Sequence, residues 1–363
     1  MADSDLFIDT DDQLQEFLDE IEGEKTLALD TEFVREKTYY PKLCLIQIAT
    51  PDRTVCVDTL ADLDLAPLFD RALDPGTAWI LHSARQDLEV LFLQDKRSPG
   101  RLIDTQIAAG LLGYAPQIGL QGLLMDELSV EVDKGHARTD WSRRPLPDAA
   151  VDYALDDVRY LLPLWQKLDG RLRDLQRENW FEADCRNALA IPPITPPVML
   201  WSRLRGLRSM DSNQQFSALA LVGWRERLAQ SLDRPRRWIM SDELLARVAR
   251  AAPEDVVSLR AIPEMPPRLV DRSGDAIVTE IKNAAGAGDE DLLDRHLNQE
   301  RPSKSALQRL QAKVQRRADE LGIQSEVLAT RKEMTEILIG RSSDRIDGSW
   351  RDSELQLLVA ANA

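Results

Sequence analysis

The stretch LALDTEFVREKTYYPKLCLIQIA, residues 27–49, decides how this chain folds. It holds two short apolar runs, TLALD at 26–30 and LCLIQIA at 43–49, with a polar connection between them. Runs of this length, rich in aliphatic residues, predict strands rather than helices. Asp30 and Glu32 stand at i and i+2 at the end of the first strand. Side chains alternate across a strand, so both carboxylates lie on one face.

Working outward, TVCVD at 54–58 and AWILH at 78–82 read as further strands. Apolar residues at helical spacing predict helices over 11–22, 84–94, 105–113 and 148–167. In the last of these, Val151, Leu155, Val158, Leu161 and Leu162 mark a buried stripe. Alternating strands and helices predict a layered α/β domain. Residues 131–147 are polar and aperiodic, a loop that ends where Pro147 and Asp148 open the next helix.

Asp87 follows the strand at 78–82, at the start of a helix. Tyr153 and Asp157 are four residues apart in a helix and share a face. Taken singly, each acid has a plain reading: a strand-end turn residue, or an acid in the first turn of a helix, where the dipole favours it. Taken together, four acids on three elements can converge at one sheet edge. Converging carboxylates repel, and hard divalent cations with oxygen ligands, Mg²⁺ or Mn²⁺, resolve that repulsion.

Three stretches resemble the exonuclease motifs of the ribonuclease D family. They are residues 27–49, then ILHSARQDLEVLF at 80–92, then TDWSRRPLPDAAVDYALDDVRYL at 139–161. The resemblance spans about residues 7–190. It implies an α/β ribonuclease-H-like exonuclease domain, a mixed sheet flanked by helices, in the DEDD superfamily. The sister branch of that superfamily has a histidine five residues before the last acid. Asp152 stands there in this chain, so the tyrosine-bearing branch fits. The resemblance makes Asp30, Glu32, Asp87, Tyr153 and Asp157 catalytic, with the four acids as ligands of two divalent metal ions. Asp30, Glu32 and Asp157 would hold one ion, Asp30 and Asp87 the other, with Tyr153 orienting the attacking water. Phe33, Gln47, His82, Arg143 and Arg144 are candidate substrate contacts, with Tyr39 and His136 as weaker ones.

IPPITPP at 191–197 is a stiff linker. Beyond it the pattern is all helical, over 212–230, 241–251, 253–260, 275–284, 302–321 and 325–339. The segment Asn213–Ile262 resembles the HRDC domain, through Trp224-Arg225, Pro235 before a basic turn, and Ser241-Asp242 opening a helix. Residues 291–363 resemble a second, more diverged domain of that kind. The expected division is an exonuclease domain at 1–195, a linker at 196–208, an HRDC domain at 209–290 and a second HRDC-like domain at 291–363.

The net charge of the 363 residues is −16, which by itself argues against a phosphate binder. The distribution says more. Residues 1–60 carry 5 basic and 15 acidic side chains, whereas residues 201–250 carry 10 arginines and 5 acids. A basic segment in an acidic protein can hold phosphate locally, and Arg236 and Arg237 are its candidate contacts. Three cysteines without paired spacing predict neither a zinc site nor a disulfide framework. No apolar run approaches the ~20 residues of a membrane helix, and the N-terminus has no secretory pattern. The expectation is a cytoplasmic, monomeric 3′-5′ exoribonuclease. It would release nucleoside 5′-monophosphates and mature the 3′ ends of tRNA precursors and other stable RNAs. Two rivals stand beside it. A DNA 3′-5′ exonuclease on the same fold would differ only in its response to the 2′-hydroxyl. A non-catalytic RNA-binding protein would have no chemical need for the intact acid set.

Overall fold

The computed structural model describes residues 7–132, 135, 139–284, 290–297, 302–341 and 343–360. His136 lies outside them. The chain gathers into two compact units. The first comprises Met1–Val34, Lys42–Pro193 and Arg301–Ala363; the second comprises Arg35–Pro41 and Ile194–Glu300.

The first unit is built on six strands: β1 (Phe7–Ile8), β2 (Thr26–Val34), β3 (Lys42–Ala49), β4 (Thr54–Asp58), β5 (Ala78–Leu81) and β6 (Arg101–Asp104). Their order across the sheet is β1-β4-β3-β2-β5-β6. Strand β3 runs antiparallel to both of its neighbours, and the other pairings are parallel. Helices α1 (Asp11–Glu20), α2 (Ala66–Ala72), α3 (Arg85–Asp95), α4 (Thr105–Leu111), α5 (Leu120–Leu128), α6 (Asp148–Arg159), α7 (Leu161–Asp174) and α8 (Glu178–Ala190) surround it. This is the mixed, helix-flanked sheet expected from the sequence.

The sheet separates two apolar layers. Leu29, Ile46, Ile48, Val55 and Val57 face the main core, with Leu164 and Leu168 of α7. On the other face Cys44, Leu45 and Cys56 meet Trp141 and Ala150, Ala154 and Leu155 of α6. Burying such side chains is worth about 25 cal/mol per Å² of apolar surface, which is what seats α6 on β2–β4. Strand β2 outruns β5, which pairs only with Thr26–Ala28. The last residues of β2 are therefore flanked on one side by β3 alone.

Several elements differ from the sequence reading. The helix expected over 148–167 is two helices meeting at Tyr160. Pro163 has no amide to continue the ladder across that point. Strand β6 is only four residues long, and α5 and α8 lack a strong apolar period, so none of the three is legible. In the C-terminal part, the 325–339 helix is α17 (Ser325–Leu328) and α18 (Arg331–Leu338) once the intervening helices are counted. Thr330 caps α18, its hydroxyl and the Glu333 side chain reciprocally bonding the first-turn amides.

Those intervening helices are α9 (Pro197–Trp201), α10 (Ser212–Ser231), α11 (Arg236–Ile239), α12 (Asp242–Ala251), α13 (Val256–Arg260), α14 (Pro267–Ala284), α15 (Glu290–His296) and α16 (Lys304–Leu321), and α19 (Trp350–Ala360) is the last helix among the described residues. Helix α14 starts at Pro267, earlier than the expected 275. In the second unit, α9–α15 enclose a separate core that includes Trp201, Leu221, Leu245, Ile277 and Leu293.

The expected division at 291–363 is redrawn by packing. Leu307, Leu310, Val314 and Ala318 of α16 enter the same core as the sheet. Trp350 stacks on Trp180 of α8 with centroids 4.1 Å apart. The buried Arg351 guanidinium donates to both Asp184 carboxylate oxygens, at 2.5 and 2.7 Å. Arg177 bridges the Leu111 and Leu321 carbonyls. Residues 301–363 thus belong to the unit that carries the sheet.

Candidate active site

Each acid is delivered by a short-range rule. In the β2–β3–β4 ladder, Asp30 pairs with Gln47 and Gln47 with Cys56, while Glu32 pairs with Leu45 and Leu45 with Asp58. Paired residues share a face, and this is the face that α6 covers. Helix α6 brings Asp157 onto it, with Tyr153 one turn earlier. Carboxylate oxygens of Asp30, Glu32 and Asp157 lie within 4.8 Å of one another.

Asp87 reaches the group from α3. The turn that launches this helix is held by Asp104. Its carboxylate accepts from the amides of Ser83 at 3.1 Å, Ala84 at 2.9 Å and Gln106 at 2.8 Å. Asp87 is 6% exposed and accepts a 2.6 Å hydrogen bond from the Thr31 hydroxyl. Thr31 sits between Asp30 and Glu32 and therefore points to the opposite face.

The electrostatics are those of an uncompensated acid cluster. Burial first, then the charges of Asp87, Asp157 and Glu32, push the Asp30 carboxyl well above the usual range. Burial, then Asp157 and Asp87, push Glu32 up to about 8. Burial, then Asp156 and Asp87, push Asp157 up to about 7, against a hydrogen bond from Tyr153 that lowers it. Burial lifts Asp87 to about 6, against the opposing bond from Thr31. Among the described residues no lysine or arginine forms an ion pair with any of the four. Buried like charges without a counter-ion are costly, and a hard divalent cation is the partner that all-oxygen donors suit. Tyr153 is half-buried over Trp141, ring centroids 6.4 Å apart. Burial, then Asp157, Glu32 and Asp30, raise its phenol above the ordinary tyrosine range, so it stays protonated.

The substrate candidates divide. Phe33 is half-buried and packed against the main core. Gln47 is 0% exposed, too deep to touch substrate, and neither amide atom has a hydrogen-bond partner among the described residues. Both ring nitrogens of His82 are engaged, with the Thr105 hydroxyl and the Ile118 carbonyl at 2.9 Å each. Burial lowers its pKa, against the charge of Asp104, so it holds the β5–β6 end of the sheet to the 112–119 loop. Arg144 is also structural. It grips Asp58 through Nε and Nη2 at 2.5 Å each and donates to the Cys44 and Trp141 carbonyls. Its neighbour Arg143 is 82% exposed and, among the described residues, paired only with Asp140, at 3.0 Å. In the helical unit Tyr39 donates to Glu226 at 2.9 Å and accepts from Gln230 at 3.0 Å. Arg236 lies 3.3 Å from Glu226. Arg237 is exposed, and among the described residues its side chain makes no hydrogen bond or ion pair. Thr31, Asp104 and Trp141 are positioning residues that sequence reasoning missed. Thr31 lies inside the first motif and Trp141 inside the third, whereas Asp104 lies outside all three.

With this geometry in view, comparison with known proteins is decisive. A family model described as "3'-5' exonuclease" matches residues 6–173, and one described as "HRDC domain" matches 218–281. Ribonuclease D of Xanthomonas oryzae pv. oryzae is 32% identical over 339 residues, covering 92% of each chain. The chain belongs to the ribonuclease D family. Ribonuclease D of Granulibacter bethesdensis is 33% identical over 321 residues, 86% of this chain and 80% of the relative. Ribonuclease D of Gluconacetobacter diazotrophicus is 39% identical over 263 residues, 71% of this chain and 66% of the relative. The crystal structure of Escherichia coli RNase D, "an exoribonuclease involved in structured RNA processing", superposes with a TM-score of 0.83 at 26% identity, over 98% of both chains. As a ribonuclease D the chain is a 3′-5′ exoribonuclease, a hydrolase on a fold that works with divalent metal ions. No helix among the described residues is long and apolar enough to cross a membrane.

Proposed function

We propose that this chain shortens RNA from the 3′ end by two-metal hydrolysis and releases nucleoside 5′-monophosphates. Its substrates are tRNA precursors and the 3′ ends of other stable RNAs, and it acts as a cytoplasmic monomer. The observation that carries the reading is the meeting of Asp30, Glu32 and Asp157 oxygens within 4.8 Å, beside the buried Asp87.

Asp30, Glu32, Asp87 and Asp157 would hold the ions, with Asp30 shared. Two divalent ions, when bound, stabilise the attacking and leaving oxygens of an in-line displacement. The protein residues do the rest. Tyr153, protonated and bonded to Asp157, has its hydroxyl at the edge of the acid cluster and orients the attacking water. Trp141 fixes the ring. Thr31 and Asp104 hold Asp87 in place. Phe33 is the candidate base contact, since aromatics stack on single strands, and Arg143 a candidate phosphate contact.

The charge distribution supports a division of labour. The acidic exonuclease segment repels a polyanion, and the basic stretch 201–250 supplies attraction. The test is digestion of a 3′-labelled tRNA precursor, and of matched RNA and DNA oligomers, in Mg²⁺ or Mn²⁺. Metal-dependent loss of the 3′ label from RNA is expected. Preferential digestion of the DNA oligomer would favour the DNA exonuclease reading instead.

A further inference from the structure

The turn LDRPRRWIM, residues 232–240, puts its residues to two different uses. Asp233, at a left-handed φ of 46°, accepts from the Tyr39 and Tyr40 amides at 3.0 Å each. Arg236 pairs with the buried Glu226 and lies over the Tyr39 ring, 5.8 Å from its centroid. Met240 is buried. These residues fasten the turn within its own unit. Arg234, Arg237 and Trp238 do the opposite. All three are exposed, and the Trp238 indole is 55% exposed. Among the described residues, none of the three side chains makes a hydrogen bond, ion pair or ring contact.

A large aromatic left in water on a tethered turn gives up burial that the nearby core could have supplied. An apolar partner would not call for two unpaired guanidinium groups beside it. A polyanion with π-faced bases calls for both: bases stack on the indole, and phosphates meet the arginines. We propose that Trp238, with Arg234 and Arg237, is a stacking platform that holds a single-stranded stretch of the RNA substrate, separate from the carboxylate site. The proposal rests on the reading of RNA as the substrate and deepens it.

The test uses the full-length chain with Asp30→Asn to prevent cleavage. Its probes are a short single-stranded RNA and the same oligomer made abasic at its internal positions. Adding Trp238→Ala should weaken binding of the intact oligomer by about 5- to 150-fold, the range for loss of one stacked base. Binding of the abasic oligomer should not change, and Trp238→Phe should recover most of the loss. Arg234→Glu with Arg237→Glu should flatten the salt dependence for both oligomers, by about 0.7 per lost phosphate contact. Equal affinities of the Trp238→Ala variant and its parent for both oligomers would overturn the platform. Failure of the wild-type chain to hydrolyse the intact oligomer in Mg²⁺ would overturn the mechanism proposed above. The binding series would still decide the platform.

Discussion

The Thr31 hydroxyl donates a 2.6 Å hydrogen bond to Asp87 Oδ1, joining the middle of β2 to the first turn of α3. Asp30 and Glu32 face one side of the strand, and Thr31 uses the other to hold the fourth acid. Thr31→Val removes the donor at nearly constant volume. Loss of an outer partner to a ligand typically costs about 10–100-fold in metal affinity or activity. The expected result is a loss of that size in kcat/KM that extra Mn²⁺ partly restores, with Thr31→Ser near wild type. A Thr31→Val enzyme at full activity in limiting metal would show that this bond does not position Asp87.

Metal-free stability should depend on pH with an unusual sign. Glu32 at about 8, Asp157 at about 7 and Asp87 at about 6 all titrate above their unfolded values, which lie near 4. Between the two sets of values the folded state binds more protons than the unfolded one, so raising pH favours unfolding. In EDTA the melting temperature should fall as pH rises from about 5 to 8. Asp30→Asn, which removes one of the repelling charges, should flatten the slope and raise the melting temperature at neutral pH. Thermal melts across that range check it; a metal-free melting temperature that climbs toward pH 8 would contradict the cluster's electrostatics.

Tyr153→Phe should lower kcat by about 10²-fold, the size of losing one hydrogen-bond donor that acts in the transition state, with RNA binding nearly unchanged. The hydroxyl is needed chiefly in the transition state. Steady-state kinetics separate the cases: a raised KM with kcat intact would make Tyr153 a substrate contact.

The buried Asp184–Arg351 pair predicts that the C-terminal helices brace the catalytic unit. Asp184→Ala leaves a buried guanidinium unpaired and should cost about 3–5 kcal/mol, read by urea unfolding. Near wild-type stability would mean that residues 301–363 are only loosely attached.

Residues governed by local periodicity were the ones legible in the sequence. Asp30 and Glu32 follow from a repeat of two, Tyr153 and Asp157 from a helical step of four, and α6 from its own apolar stripe. What stayed hidden depends on contacts between distant segments. Thr31 looks like a neutral strand residue until α3 arrives against it. Asp104 looks like a helix cap, and only the fold shows that it also holds the turn before Asp87. Arg144 and Arg143 are adjacent and chemically equal, yet Asp58, 86 positions before Arg144, occupies one and leaves the other exposed. The stripe of α16 announces a buried face without saying which core receives it. Trp238, as easily a core residue by composition, is exposed because its turn is anchored through Asp233, Arg236 and Met240.

The central claim is that Asp30, Glu32, Asp87 and Asp157 support metal-dependent attack of water on the 3′-terminal phosphodiester. Hydrolysis of RNA in ¹⁸O-water, followed by mass spectrometry of the released nucleotide, tests it most directly. The account predicts nucleoside 5′-monophosphates carrying one ¹⁸O on phosphorus, formed in Mg²⁺ or Mn²⁺ and absent with EDTA. For Asp30→Asn or Asp157→Asn the yield should fall by at least the about 10²–10³-fold that loss of one transition-state-stabilising group costs. Products ending in 3′ or cyclic phosphate, or undiminished release from both variants in the presence of metal, would contradict it.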